Sequence, residues 1–145
     1  MLTLKKLNDL RRSQQQLSDD KYCFACGTLN PVGLHMEVSY LEDKAVSKLS
    51  VRREFQGWHD IVHGGMVATI LDEIMAHAVM HYVGKGVTTS LQITYRNPLP
   101  VGEEIRAVGY VVERKSRIAV ARGEIRRAGN EKVIATGESR FVLLP

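Results

Sequence analysis

Several things are scarce in this chain of 145 residues, and each scarcity closes a door. No apolar run approaches the roughly 20 residues that a helix needs to cross a bilayer. The opening stretch MLTLKKLNDLRRSQQQ has neither an apolar h-region nor a small-residue cleavage site, so it does not read as a signal peptide. A cytoplasmic protein without membrane partners is the expectation. Only two cysteines occur, Cys23 and Cys26, so no disulfide framework can hold the fold and they pose a redox or metal question instead. Aromatics make up 6% of the chain and no Lys/Arg cluster accompanies them. That argues against nucleic acid as a partner, although the net charge of +4 suits a small polyanionic ligand such as a nucleotide or coenzyme A.

What is present is an ordinary globular composition, 44% apolar and 25% charged, of a length that supports one sizeable core. The chain is organised around Ile61 to Met80. There a histidine and two glycines, His63-Gly64-Gly65, precede about four helical turns of mostly apolar residues. A helix that is apolar nearly all round is buried. Two adjacent carboxylates, Asp72 and Glu73, sit inside that run, and burying a charge is costly unless something requires it.

Around this helix the other elements follow from pattern. Residues 3–16 carry Leu4, Leu7 and Leu10 among charges and read as a short amphipathic helix. Residues 23–33 are rich in turn formers and read as an ordered loop. Residues 34–42 and 45–52 alternate as a β-hairpin, and Gly84-Lys85-Gly86 supplies a left-handed stop for the long helix. Four strand runs follow, at 87–96, 104–114, 118–127 and 133–143, with short separators that suit antiparallel hairpins. The expected architecture is α+β: six mainly antiparallel strands wrapped around one long central helix, with a short N-terminal helix. Residues 1–20 read as an extension and 21–145 as the domain.

Chemistry gathers along the central helix. Thr69, Glu73, His77 and His81 share one stripe at four-residue spacing. This narrow polar seam reads as a solvated or interface edge. It does not have the His-Glu-x-x-His zinc pattern, and no metal is expected there. Cys23-x-x-Cys26 is half of an all-thiolate zinc site that only a second subunit's pair could complete, so a redox pair or simple packing is the preferred reading. His63-Gly64-Gly65 opens a helix with residues that let backbone N–H groups approach a ligand, where the helix dipole favours a phosphate or a developing oxyanion.

Val62-His-Gly-Gly-Met-Val-Ala-Thr-Ile-Leu-Asp72, with Thr88-Thr-Ser-Leu-Gln-Ile-Thr-Tyr-Arg-Asn-Pro98, resembles the hotdog-fold acyl-CoA thioesterases. The nearest group holds the phenylacetyl-CoA and 4-hydroxybenzoyl-CoA thioesterases, and the resemblance spans roughly residues 21–145. Cys-x-x-Cys-Gly-x-x-Asn-Pro-x-Gly-Leu at 23–34 resembles a segment that recurs in one branch. The resemblance implies that the Gly64 N–H polarises the thioester oxygen and that Asp72 is nucleophile or general base. It also implies that Thr88, or alternatively Thr89, orients the acid or the water, without metal or cofactor. Many relatives carry an Asn six residues before the His, where this chain has Gly57. Gln56 or His59 are the candidates to replace it.

Helix rise adds an independent argument. Eight residues separate Gly64 from Asp72, about 12 Å along a helix, whereas attacking and polarising groups must meet within about 3–3.5 Å of one carbon. A second, antiparallel helix across a two-fold axis would bring Gly64 of one subunit to Asp72 of the other, so a homodimer at least is expected, with pairing into tetramers. His63, Gly65, Trp58 and Phe55 are candidates to line the acyl site. Arg96, Lys115 and Arg117, at strand ends, are candidates for CoA phosphates or plain edge charges. Two rivals stay open: a non-catalytic acyl-CoA binder or regulator, and a hydratase for which His59-Asp60 is the only cue.

Overall fold

The computed structural model describes residues 3–6 and 17–145. Six strands form one antiparallel sheet: β1 (Ser39–Leu41), β2 (Lys44–Ser50), β3 (Gly86–Tyr95), β4 (Glu104–Lys115), β5 (Ile118–Arg127) and β6 (Val133–Leu143). They run in the spatial order β1-β2-β4-β5-β6-β3. One long helix, α1 (Gly64–Tyr82), lies across them. Residues 4–6 are helical, with the Lys6 N–H donating to the Thr3 hydroxyl at 3.3 Å. The rest of the expected N-terminal helix, with Leu7 and Leu10, falls outside the described residues. No helix among the described residues is long and apolar enough to cross a membrane.

Val67, Ile70, Leu71, Ile74, Met75, Ala78 and Val79 of α1 are buried against the sheet. The sheet makes room with glycine. Gly109, Gly123 and Gly137 stand opposite one another on β4, β5 and β6 and form a groove under the helix. A Cβ on Gly109 would lie 2.6 Å from the Ile74 carbonyl oxygen, and one on Gly123 would lie 3.1 Å from Met75. Small residues here let the helix sit directly on the strands, which fixes its height and rotation. The four strands after the helix fall where periodicity places them, within a residue at each end.

Two local expectations are corrected. The first hairpin strand shrinks from 34–42 to Ser39–Leu41. Backbone groups upstream are drawn instead to the N-terminal loop, with Leu34 N–H donating to Phe24 O and Met36 N–H to Ala25 O, both at 2.9 Å. His35 takes φ 54, which breaks any strand there. The helix also ends without a left-handed glycine. Val83 and Gly84 both donate to the Val79 carbonyl, and Gly102 has the only positive φ among the described glycines. Gly86 is needed for closeness: a Cβ there would meet the Val142 carbonyl oxygen at 2.9 Å, where β3 joins β6.

Candidate active site

Asp72 and Glu73 are neighbours in sequence but point about 100° apart around the helix, into different surroundings. Asp72 faces β3, whose Thr88 hydroxyl donates to Asp72 Oδ1 at 2.8 Å. A β-bulge decides which threonine does this. The register between β3 and β6 shifts between Thr88 and Ser90, so Thr89 turns its hydroxyl to the Arg140 carbonyl at 3.2 Å. Asp72 is half-buried, and burial raises its carboxyl above the ordinary aspartate value; the Thr88 hydrogen bond pulls it down and the neighbouring Glu73 charge pushes it up.

The start of α1 forms the second part. His63 is the N-cap, and its Nδ1 accepts the Gly65 N–H at 2.9 Å. Its carbonyl takes the Met66 and Val67 N–H groups at 2.9 and 3.2 Å. The Gly64 N–H alone in this first turn is left without a partner among the described residues, and Gly64 is exposed. It opens onto a depression of 380 Å³ lined by Gly57, Trp58, Val62, His63 and Gly64. Trp58 is 86% exposed, an uncommon amount of bare apolar surface for the largest side chain. Tyr95 on β3 donates its hydroxyl to the Gly64 carbonyl at 2.7 Å, tying the helix start to the sheet edge. Sequence reasoning assigned Tyr95 no role, although its place in the Thr-x-x-Leu-x-x-x-Tyr run was the available signal.

The remaining candidates separate. A Cβ on Gly57 would lie 3.2 Å from the His63 Cα, so a longer side chain at this turn has little room. Gln56 Oε1 accepts the Asp60 N–H at 3.3 Å, and His59 pairs with Asp60 at 3.2 Å on the open surface. Phe55 packs edge-on against Phe24 with ring centroids 6.1 Å apart and is not part of the depression. Arg96 follows Tyr95 at the Gly64 end of α1. Arg117 lies beside Val83 and Gly84 at the opposite end, some 28 Å away along a helix of this length. Within one subunit they cannot hold the same phosphate.

Glu73 faces the other way and is not solvated. Its side chain and that of His77 are only 17% and 18% exposed. His77 Nε2 lies 3.0 Å from Glu73 Oε1, and His77 Nδ1 lies 2.7 Å from the Tyr40 hydroxyl. Tyr40 stacks on His81 at 3.7 Å between ring centroids. Beyond Glu73 stand Cys23 and Cys26, with Cys23 Sγ donating to Glu73 Oε1 at 3.6 Å. Burial alone would raise the Glu73 carboxyl, but hydrogen bonds from His77 and the two thiols hold it below its usual value. Burial first, then the hydrogen bond and charge of Glu73, push the Cys26 thiol well up. The seam read from sequence as a solvated or interface edge is thus covered at Glu73 and His77, which link the N-terminal loop to Tyr40 of β1, and exposed at His81.

Among known proteins, the family profile described as thioesterase superfamily matches residues 59–134. Acyl-coenzyme A thioesterase 13 of Mus musculus and of Homo sapiens are each 28% identical over 102 residues, covering 69% of this chain and 73% of theirs. The crystal structure of zebra fish thioesterase superfamily member 2 is 26% identical with a TM-score of 0.73, covering 99% of this chain and 100% of that one. A mutant of the phenylacetic acid degradation protein PaaI from Thermus thermophilus is 27% identical with a TM-score of 0.70, covering 77% of this chain and 95% of that one.

Proposed function

This chain belongs to the thioesterase superfamily and is a thioester hydrolase; from that premise we propose that it cleaves a small or medium acyl- or aryl-CoA to the free acid and CoA. The relatives named acyl-coenzyme A thioesterase 13 support the CoA part of this reading. Asp72, ionised, takes a proton from water as the water oxygen attacks the thioester carbon, or attacks that carbon itself. The oxygen of the tetrahedral intermediate accepts the Gly64 N–H at the positive end of the helix dipole. Collapse expels CoA as a thiolate, a stable enough leaving group to need little acid help. Where Asp72 itself has attacked, the mixed anhydride left on its carboxyl is then hydrolysed by water to the free acid and the restored carboxylate. Thr88 holds the carboxylate in one rotamer. No metal or cofactor takes part in these steps.

One observation carries the reading: the unpartnered, exposed Gly64 N–H belongs to the same helix as a half-buried carboxyl anchored by a hydroxyl. With α1 continuous from Gly64 to Tyr82, the two stand about 12 Å apart along its axis. The proposed site therefore joins Gly64 of one subunit to Asp72 of another. Support for such a dimer comes from β3, an edge strand of ten residues on the Asp72 side with Leu91 and Tyr95 exposed. A long edge strand presents a row of unpaired backbone groups and invites pairing with a second copy. Trp58 would then be covered by the partner or the acyl group.

The test is free-thiol release from a panel of acyl-CoA substrates by the wild type and by Asp72→Asn. Turnover in the wild type with a loss of about 10²–10⁴-fold in the variant is expected for removal of a general base. Binding without turnover in the wild type would favour a non-catalytic acyl-CoA binder, and full activity in the variant would sink the assignment of Asp72.

A further inference from the structure

We propose that Cys23, Cys26 and Glu73 form a binding site for a tetrahedral, borderline-soft divalent cation of the zinc type, clamping the N-terminal loop to the middle of α1. The proposal stands independently of the catalytic reading. It begins with the loop. Cys23-Phe-Ala-Cys-Gly27 closes into a tight turn in which the Gly27 N–H donates to the Cys23 carbonyl at 2.8 Å. The turn is so tight that a Cβ on Gly27 would lie 2.3 Å from the Cys23 nitrogen and 2.6 Å from its carbonyl oxygen, so only glycine fits. Within it the Cys26 N–H points at Cys23 Sγ at 3.4 Å. An amide aimed at sulfur is a donor that a thiolate accepts better than a thiol does. Both side chains thereby turn to one side of the loop, as two ligands of one ion require.

Glu73 supplies the third donor. One ligand atom from each of Cys23, Cys26 and Glu73 falls within 4.8 Å of the others. At zinc–sulfur and zinc–oxygen lengths of about 2.3 and 2.0 Å, tetrahedral ligands stand about 3.5–3.8 Å apart. The Cys23 Sγ to Glu73 Oε1 separation is 3.6 Å. A shift of about an ångström at most in the remaining pairs, within the reach of side-chain rotation, closes the site. All three side chains are half-buried, which shields the ion while leaving it a way in. Behind the ligand carboxylate, His77 holds Glu73 Oε1 at 3.0 Å and is itself held by the Tyr40 hydroxyl at 2.7 Å. An outer partner that orients a ligand is what built metal sites carry. The fourth position falls to water.

This completes the half-site that Cys23-x-x-Cys26 presents in sequence, and no second subunit is needed. The role is structural: Glu73 is one residue from Asp72, so the clamp sets the rotation of α1 where the carboxyl meets Thr88.

The experiment is titration of the reduced, chelator-treated full chain with Co²⁺ under anaerobic conditions, read by thiolate-to-cobalt charge-transfer absorption and the visible ligand-field bands. Saturation at one Co²⁺ per chain with a tetrahedral ligand-field spectrum is expected, and the band should vanish in the Cys23→Ser/Cys26→Ser double variant. Glu73→Gln should weaken Co²⁺ binding at least tenfold, and His77→Ala about 10–100-fold, as loss of an orienting partner does elsewhere. Asp72→Asn should leave the titration unchanged, which separates this site from the catalytic one whether or not the protein hydrolyses thioesters. Absence of the band in reduced wild type, with both thiols free to a thiol reagent, overturns the proposal. So does a Cys23–Cys26 disulfide that, once reduced, yields no band, since the pair would then be a redox couple. Because the titration is made on the wild type, it decides the matter even if a cysteine variant does not fold.

Discussion

Burial lifts the Asp72 carboxyl while the Thr88 hydroxyl, 2.8 Å away, pulls it back, and the two effects can be separated by substitution. With its folded-state pKa raised above the unfolded one, Asp72 supports the fold fully below the ordinary aspartate value of about 3.9 and loses that support as pH rises through the raised value. At neutral pH the ionised form therefore costs stability. Asp72→Asn should be more resistant to urea than the wild type near neutral pH, with the gap closing in acid, even as hydrolysis is lost. Thr88→Val keeps the shape and removes the donor. The acid limb of its kcat/KM profile should move to higher pH, with a smaller loss of activity on the plateau than Asp72→Asn causes. An unmoved limb would show that the hydroxyl does not act through Asp72. The sequence narrowed this partner to two adjacent threonines and could go no further, because a bulge at Thr89 exchanges the faces on which the two side chains emerge.

At the scale of elements, the long helix was legible because an apolar run of that length needs cover on most sides, and the strands after it because their separators are short. The glycine groove was not. Gly109, Gly123 and Gly137 meet only once three strands are set in register, information that period-two alternation does not contain. Gly109→Ala forces a Cβ to within 2.6 Å of the Ile74 carbonyl oxygen, part of a helix backbone that cannot yield cheaply. A loss of about 1–3 kcal/mol is expected from such overpacking, measurable by urea denaturation. The same substitution at Gly129, where an added Cβ meets nothing within 4 Å, should cost little and serves as the control. The contact of Glu73 with Cys23 was also illegible in sequence. A stripe of Glu73, His77 and His81 reads as a solvated or interface edge on one helix, and only the loop folding back over it shows that Glu73 and His77 are covered while His81 stays exposed.

For the whole molecule, the question is whether one polypeptide holds a complete site. Helix rise argues for the proposed sharing of Gly64 and Asp72 between two subunits, and that proposal makes a quantitative prediction. Gly64 is the first residue of α1, where proline is tolerated because its missing N–H makes no helical bond. The preceding His63 has φ −57 and ψ 134, a conformation compatible with a following proline. Gly64→Pro should therefore delete the proposed oxyanion donor and spare the fold, lowering kcat by about 10²–10³-fold. Mixed with Asp72→Asn after dissociation and reassociation, it tests the sharing of sites. Random pairing makes half of the dimers hybrids, and each hybrid has one site with both lesions and one with neither. Two nearly inactive proteins should then recover about one quarter of wild-type activity, half the dimers with one working site of two. If Gly64 and Asp72 served the same subunit's site, every site would carry one lesion and mixing would restore nothing.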